Sequence, residues 1–223
     1  MATVKKTGKQ KEVLTKDHLI TLYMDEVLEK ESIPVTVYKF CKTNDVREEE
    51  FYSFFGNFDA LKEAVWVRFF EHSLDVMQRS AEYETFMVRE KVLTFYYTFF
   101  EVLTANRSYV MLSLRESKSP LKNLEQLKGL RKEVKAFARD LVKEANDEKQ
   151  MKLVRNSGTV FSEAIWLQLL FLMKFWMDDA SPKFESTDIA IEKSVNTVFD
   201  LMDNTALERV LDLGKFLWKE KMA

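Results

Sequence analysis

Apolar residues recur at helical spacing along almost the whole chain. Leu19, Ile20, Tyr23, Val27 and Leu28 follow Thr15 three, four or seven apart. Thr15 can cap, so a first helix is expected from there to about Ser32, ahead of Pro34. Thr36 is a second cap, in front of a short helix over 37–43 with Val37, Phe40 and Cys41 on its inner side. Asn44 and Asp45 mark a turn, and a third short helix is expected over about 47–55, closed by Gly56 and Asn57. A long helix then runs from Asp59 to about Arg79. Beyond it the same period predicts amphipathic helices near 86–104, 107–116, 121–147, 152–178, 186–203 and 205–220. Pro120 and Pro182 punctuate them, Asp178, Asp179, Ser181 and Pro182 form a loop, and Asp203-Asn204 marks another break.

The expected fold is therefore all-α. Three short helices with a tight turn between the second and third make a helix-turn-helix, set before a larger helical body. The expected organisation is a flexible basic arm over 1–14, a helix-turn-helix domain over 15–60 and a helical domain over 61–223. The arm carries Lys5, Lys6, Lys9 and Lys11. It is either a solvated terminus or a segment that lies along nucleic-acid phosphates.

Composition agrees with helices, since only 5 Gly and 3 Pro interrupt 223 residues. The single Cys41 excludes an internal disulfide and suits a reducing compartment. The first 18 residues contain no apolar run of the kind a secretory signal needs. Residues 159–177 are the most apolar stretch, but Glu163, Gln168 and Lys174 interrupt it, which favours a buried helix over a membrane span. A soluble, cytoplasmic protein is expected. The net charge of −2 is not that of a protein whose whole surface binds nucleic acid, so any DNA contact must rest on a local face.

No catalytic constellation stands out. His18 and His72 have no metal-ligand partner at useful spacing, and Cys41 falls on the inner side of a short helix. No phosphate loop or nucleophile elbow is present. Asp178 and Asp179 read as solvated turn residues or caps. The reading is of a non-enzyme with no metal and no cofactor. The surplus is aromatic: 18 Phe, 7 Tyr and 4 Trp. Phe95, Tyr96, Tyr97, Phe99 and Phe100 crowd one helix; Phe161, Trp166, Phe171, Phe175 and Trp176 run along another. Two readings stand side by side. The rings are core, or they line a cavity for a small apolar ligand. On the second, Phe95, Tyr96, Phe99, Phe137, Trp166 and Met173 are the candidate ligand-binding residues, with Tyr97 and Gln168 as further polar groups and Met177 as adaptable wall.

Residues 34–61 read PVTVYKFCKTNDVREEEFYSFFGNFDAL. This resembles the DNA-binding signature of the tetracycline-repressor (TetR) family of transcriptional regulators. Thr36 stands at the family's cap, Phe40-Cys41 at its packing pair, and Asp45-Val46-Arg47 at its turn. Phe51-Tyr52, Phe55 and Leu61 hold the remaining places. The resemblance covers about 45 residues, 19–65. It implies a homodimeric regulator of double-stranded operator DNA that answers to a small ligand, with Tyr52 at the family's phosphate-contacting tyrosine. Lys39, Lys42 and Arg47 by their charge, and Thr36 at a helix N-terminus, are the further candidate DNA contacts. It also implies dimerisation through the helices near 152–178 and 186–203, using Trp166, Leu167, Leu170 and Phe171 with Ile189, Ile191, Val195 and Phe199. The last helix, with Leu207, Val210, Leu211, Gly214 and Leu217 on one side, would cover the bundle or cap the domain.

Three departures stand out. Glu48, Glu49 and Glu50 open the recognition helix, Arg47 replaces the family's capping Ser, and Phe58 replaces its phosphate-reaching Lys. Over 34–60, Lys39, Lys42 and Arg47 face five acids: Asp45, Glu48, Glu49, Glu50 and Asp59. Carboxylates in a first turn stabilise the helix by roughly 0.3 to 1 kcal/mol each without any further role. Residues 175–202, with a Trp-x-x-Asp-x-Ser…Thr-Asp pattern, are similar to a second group of this fold. These are the lipid-binding proteins of coenzyme Q biosynthesis, whose helix-turn-helix no longer binds DNA. That likeness implies the alternative of a lipid- or isoprenoid-binding protein.

Overall fold

A computed structural model describes residues 14–147 and 157–203. The expected arm lies outside the described residues up to position 13. So do residues 152–156 of one expected helix and the whole of that over 205–220. The described residues are 82% helical, and no strand occurs among them. It divides into two compact units, residues 1–64 and 65–223.

The N-terminal unit holds α1 (Lys16–Lys30), α2 (Val37–Thr43), α3 (Glu48–Phe54) and the start of α4 (Phe58–Gln78). Thr15 accepts the His18 N–H at 3.1 Å and Thr36 accepts that of Lys39 at 3.2 Å, so both expected caps form. Leu19, Tyr23, Val27, Phe40 and Phe51 are fully buried. Phe58 packs into this cluster, its ring 5.7 Å from each of Tyr23, Phe40 and Phe51.

The turn between α2 and α3 is held from below. Asn44 donates through Nδ2 to the Phe40 carbonyl (2.8 Å) and to Oε2 of Glu26 on α1 (2.6 Å). Glu26 is buried and also accepts from Lys30 at 2.6 Å. Asp45 adopts φ 52°, in the left-handed region that Asp tolerates better than most residues. The Val46 N–H then closes on the Cys41 carbonyl at 2.9 Å.

The C-terminal unit holds the rest of α4, then α5 (Val88–Ala105), α6 (Arg107–Leu114), α7 (Pro120–Glu125), α8 (Lys128–Asp147), α9 (Ser157–Asp178) and α10 (Glu185–Asp203). Short 3-10 turns occupy Tyr83–Thr85 and Pro182–Phe184. α8 packs along α9, and α10 lies against α5 and α9. The segment Gly158–Asp178 is long and apolar enough to cross a membrane by length and composition, with half of it buried inside the unit.

The single helix expected over 121–147 is two helices, broken at Gln126-Leu127. The cause is tertiary. Gln126 is turned inward, where its Oε1 accepts the Trp66 indole N–H at 2.9 Å. Its Nε2 donates to the carbonyls of Ser113 (2.9 Å) and Asn123 (3.0 Å). Satisfying three buried groups from one amide outweighs continuing the helix.

Candidate functional site

The five residues expected to meet DNA are all exposed. Thr36, Lys39 and Lys42 follow one another at intervals of three along α2, forming one stripe. Lys42 holds its ammonium 5.8 Å from the centre of the Tyr38 ring. Tyr52 stands on α3, 52% exposed, edge-on to Phe51. Arg47 caps α3 in an unusual way. Its backbone N–H donates to Oε2 of Glu50 and its Nη2 to Oε1, each at 3.1 Å, and Glu49 lies 3.8 Å away. Glu50, then Glu49, raise the guanidinium pKa further above its already high ordinary value.

The acid triplet therefore splits into three environments. Glu50 is occupied by Arg47, Glu48 is part-buried, and Glu49 is 88% exposed. Val35, Tyr38 and Phe54 form exposed apolar surface on the same unit, which the sequence pattern did not single out. Phe58, where the resembled signature has its lysine, is a part-buried ring packed on the core. Cys41 is buried, and desolvation, then Glu48 and Glu26, push its thiol up to about 11. It stays protonated at neutral pH.

Four of the six expected ligand residues, Phe95, Tyr96, Phe99 and Phe137, gather around Phe95. Phe95 and Phe99 are fully buried and stacked at 5.6 Å; Phe137, part-buried on α8, lies 5.1 Å from Phe95. Phe70 of α4 completes this ring cluster, 5.7 Å from Phe95. Tyr96, its ring 5.4 Å from that of Phe95, also serves α9. Its hydroxyl donates to the Ile165 carbonyl at 2.8 Å and lies 3.2 Å from Oε1 of Gln168, whose Nε2 donates to Ser194 on α10. Burial holds the Tyr96 phenol well above its ordinary pKa. Trp166 and Met173 are buried on α9. An open groove of about 510 Å³ is lined by Phe171, Lys174, Phe175, Asp178, Asp179, Ala180, Ser181 and Ser186, and by none of the six.

Asp179, at one end of that groove, is the hub of the α9–α10 corner. Its Oδ1 accepts from the N–H and hydroxyl of Ser181, its Oδ2 from the N–H and hydroxyl of Thr187, all at 2.6 to 2.9 Å. Desolvation works against the charge, but these four donors outweigh it and hold the carboxyl at about 2. Asp178 pairs with Lys174. Arg107, not anticipated from sequence, closes the other side. It donates to the Trp176 and Met177 carbonyls at 3.1 and 3.2 Å and stacks 4.3 Å from the Trp176 ring. The Trp-x-x-Asp-x-Ser…Thr pattern is thus a helix-corner device.

The residues expected at a dimer surface divide by helix face. Leu167, Phe171 and Ile189 are exposed, and Phe175 joins Leu167 and Phe171 at four-residue steps along α9. Leu170 is part-buried. Trp166, Ile191, Val195 and Phe199 are instead buried within the C-terminal unit, Phe199 lying 5.7 Å from Phe161. Among the described residues no group of three or more His, Cys, Asp or Glu is placed to hold a metal ion.

Residues 91–217 match a family model described as "Tetracyclin repressor-like, C-terminal domain". No curated protein and no solved structure matches the chain.

Proposed function

The chain belongs to the tetracycline-repressor-like family, and from that premise we propose a soluble, cytoplasmic, ligand-responsive transcriptional regulator that binds DNA as a homodimer. Family membership points to a regulator and not an enzyme. The head, 15–60, contacts operator DNA through Thr36, Lys39, Lys42, Arg47 and Tyr52, with the basic arm over 1–14 assisting on the phosphates. The body, 61–223, binds a small apolar ligand and the second subunit. The exposed row Leu167, Phe171 and Phe175, with Ile189 of α10, is the surface through which two copies associate. A ligand controls such a dimer only by binding one spacing of its two heads better than the other.

One observation carries this reading. The α2–turn–α3 module leaves all five contact candidates at the surface, while Arg47 occupies one of the three acids. The test is footprinting on DNA upstream of the protein's own gene over a series of salt concentrations. Binding that weakens with salt, with a log–log slope of about −0.9 per phosphate contacted, is expected. No footprint at low salt removes the regulator reading.

A lipid- or isoprenoid-binding protein that has lost DNA binding is the second reading. It is favoured by the commitment of the Arg47 guanidinium to carboxylates and by the high exposure of Glu49. Native mass spectrometry separates the two. A co-purified lipid together with no DNA affinity selects the second.

A further inference from the structure

We propose that Lys91 anchors the body's ligand, and that the ligand is an amphipathic monocarboxylate: one carboxylate on an alkyl or aryl body. This deepens the ligand-binding part of the reading above and rests on it.

Lys91 is a lysine inside the body, only 4% exposed. Its ammonium lies 5.4 Å from the centre of the Tyr83 ring and pairs with Glu144 of α8. The two partners are not buried alike. The Glu144 side chain is 40% exposed and stands in the last turn of α8, whereas that of Lys91 is 5% exposed. Glu144 can turn out to water at small cost; Lys91 cannot.

The cation also heads an aromatic seam. Lys91, Phe95 and Phe99 follow at four-residue steps on one face of α5. Phe137, seven residues before Glu144 on α8, faces Phe95 at 5.1 Å and is not fully buried. Packing alone does not call for the ammonium, because an apolar side chain of similar volume holds such a seam as well or better. Glu144 is therefore a stand-in for the ligand's carboxylate. A ligand acid takes over the charge-assisted hydrogen bond while its apolar body displaces the Phe137 ring. One carboxylate replaces another, so the buried cation is paired throughout.

The test is calorimetric titration of the full chain, without DNA. The probes are decanoate and 2-naphthoate, with 1-decanol and 2-naphthamide as neutral counterparts. At least one acid is expected to bind about tenfold or more tightly than its neutral counterpart. Lys91→Met should weaken that acid about tenfold and leave the neutral counterpart unchanged, while Glu144→Gln should tighten the acid severalfold. Binding of neither acid overturns the proposal, as does equal weakening by both variants, which is the signature of a merely structural pair. Where Lys91→Met does not fold by circular dichroism, Glu144→Gln decides alone, tighter supporting the anchor and unchanged or weaker binding refuting it. An operator footprint that survives the failure of acid binding removes the anchor and leaves the regulator standing.

Discussion

Tyr52 in the N-terminal unit is 52% exposed on a seven-residue helix. Tyr96 in the C-terminal unit is fully buried, with its hydroxyl on the Ile165 carbonyl. The two residues represent how their units use polar chemistry. The head buries a ring cluster, pins one turn with Glu26, and leaves its lysines, Arg47 and Tyr52 outside. The body draws its polar groups inward, where Lys91, Gln126 and Gln168 each join helices distant in sequence. A surface that must meet a polyanion has to be exposed, so its residues are fixed by spacing on short helices. A pocket for an apolar ligand uses the same residue types as a core, so spacing alone does not separate them.

The largest effect that sharpens this contrast is Phe51→Ala. Phe51 is fully buried and touches the Phe40, Phe55 and Phe58 rings at 5.7 to 6.0 Å. Its loss should cost about 3–5 kcal/mol, concentrated in the head. Segment-resolved hydrogen exchange should show α1 to α3 losing protection while α5 and α8 keep theirs. Simultaneous loss in both would mean that the two units unfold as one.

Asp179→Ala tests the body's inward polar chemistry at its α9–α10 corner. Removing an acceptor of four donors should destabilise by about 1–2 kcal/mol at neutral pH. The sign with pH follows from the depressed carboxyl, whose ordinary value is 3.8 and folded value about 2. Its contribution is fully present above pH 3.8 and is lost as pH falls through about 2. Denaturation curves for the original and the variant should therefore converge over that interval, and a constant gap would show that Asp179 carries no charge-dependent stability.

Much of the head was legible because its signals are local. Thr15 and Thr36 cap within three residues, and α2 is observed over the 37–43 expected. Phe58 was not legible: against the family pattern it is a missing lysine, and only its three ring partners show why it is Phe. The body hid more, for one reason. Arg107 bonds carbonyls 69 and 70 residues away, and Gln126 breaks a helix that every neighbouring residue tolerates because Trp66 lies 60 residues back. Period 3.6 places a residue on a helix face without saying which neighbour that face meets, so spacing did not tell the six ligand candidates from core. Asp179 lies between these cases. It was readable as a cap, while the reach of its bonds to Thr187 was not.

The smallest effect comes from the two tyrosines with which the comparison began. Tyr96→Phe removes a buried hydroxyl and leaves Gln168 short of a partner, so a loss of about 1 kcal/mol is expected in denaturant titration. Tyr52→Phe removes a hydroxyl that already faces water, and stability should stay within about 0.5 kcal/mol. On the proposed function its effect should appear in DNA binding, where a lost phosphate hydrogen bond weakens binding to all sequences alike. Tyr96→Phe should leave operator affinity unchanged, since its hydroxyl holds α5 to α9 inside the body. If instead Tyr52→Phe alters stability and not affinity, Tyr52 is a packing residue, and the claim that the head keeps its working chemistry outside fails at its most exposed member.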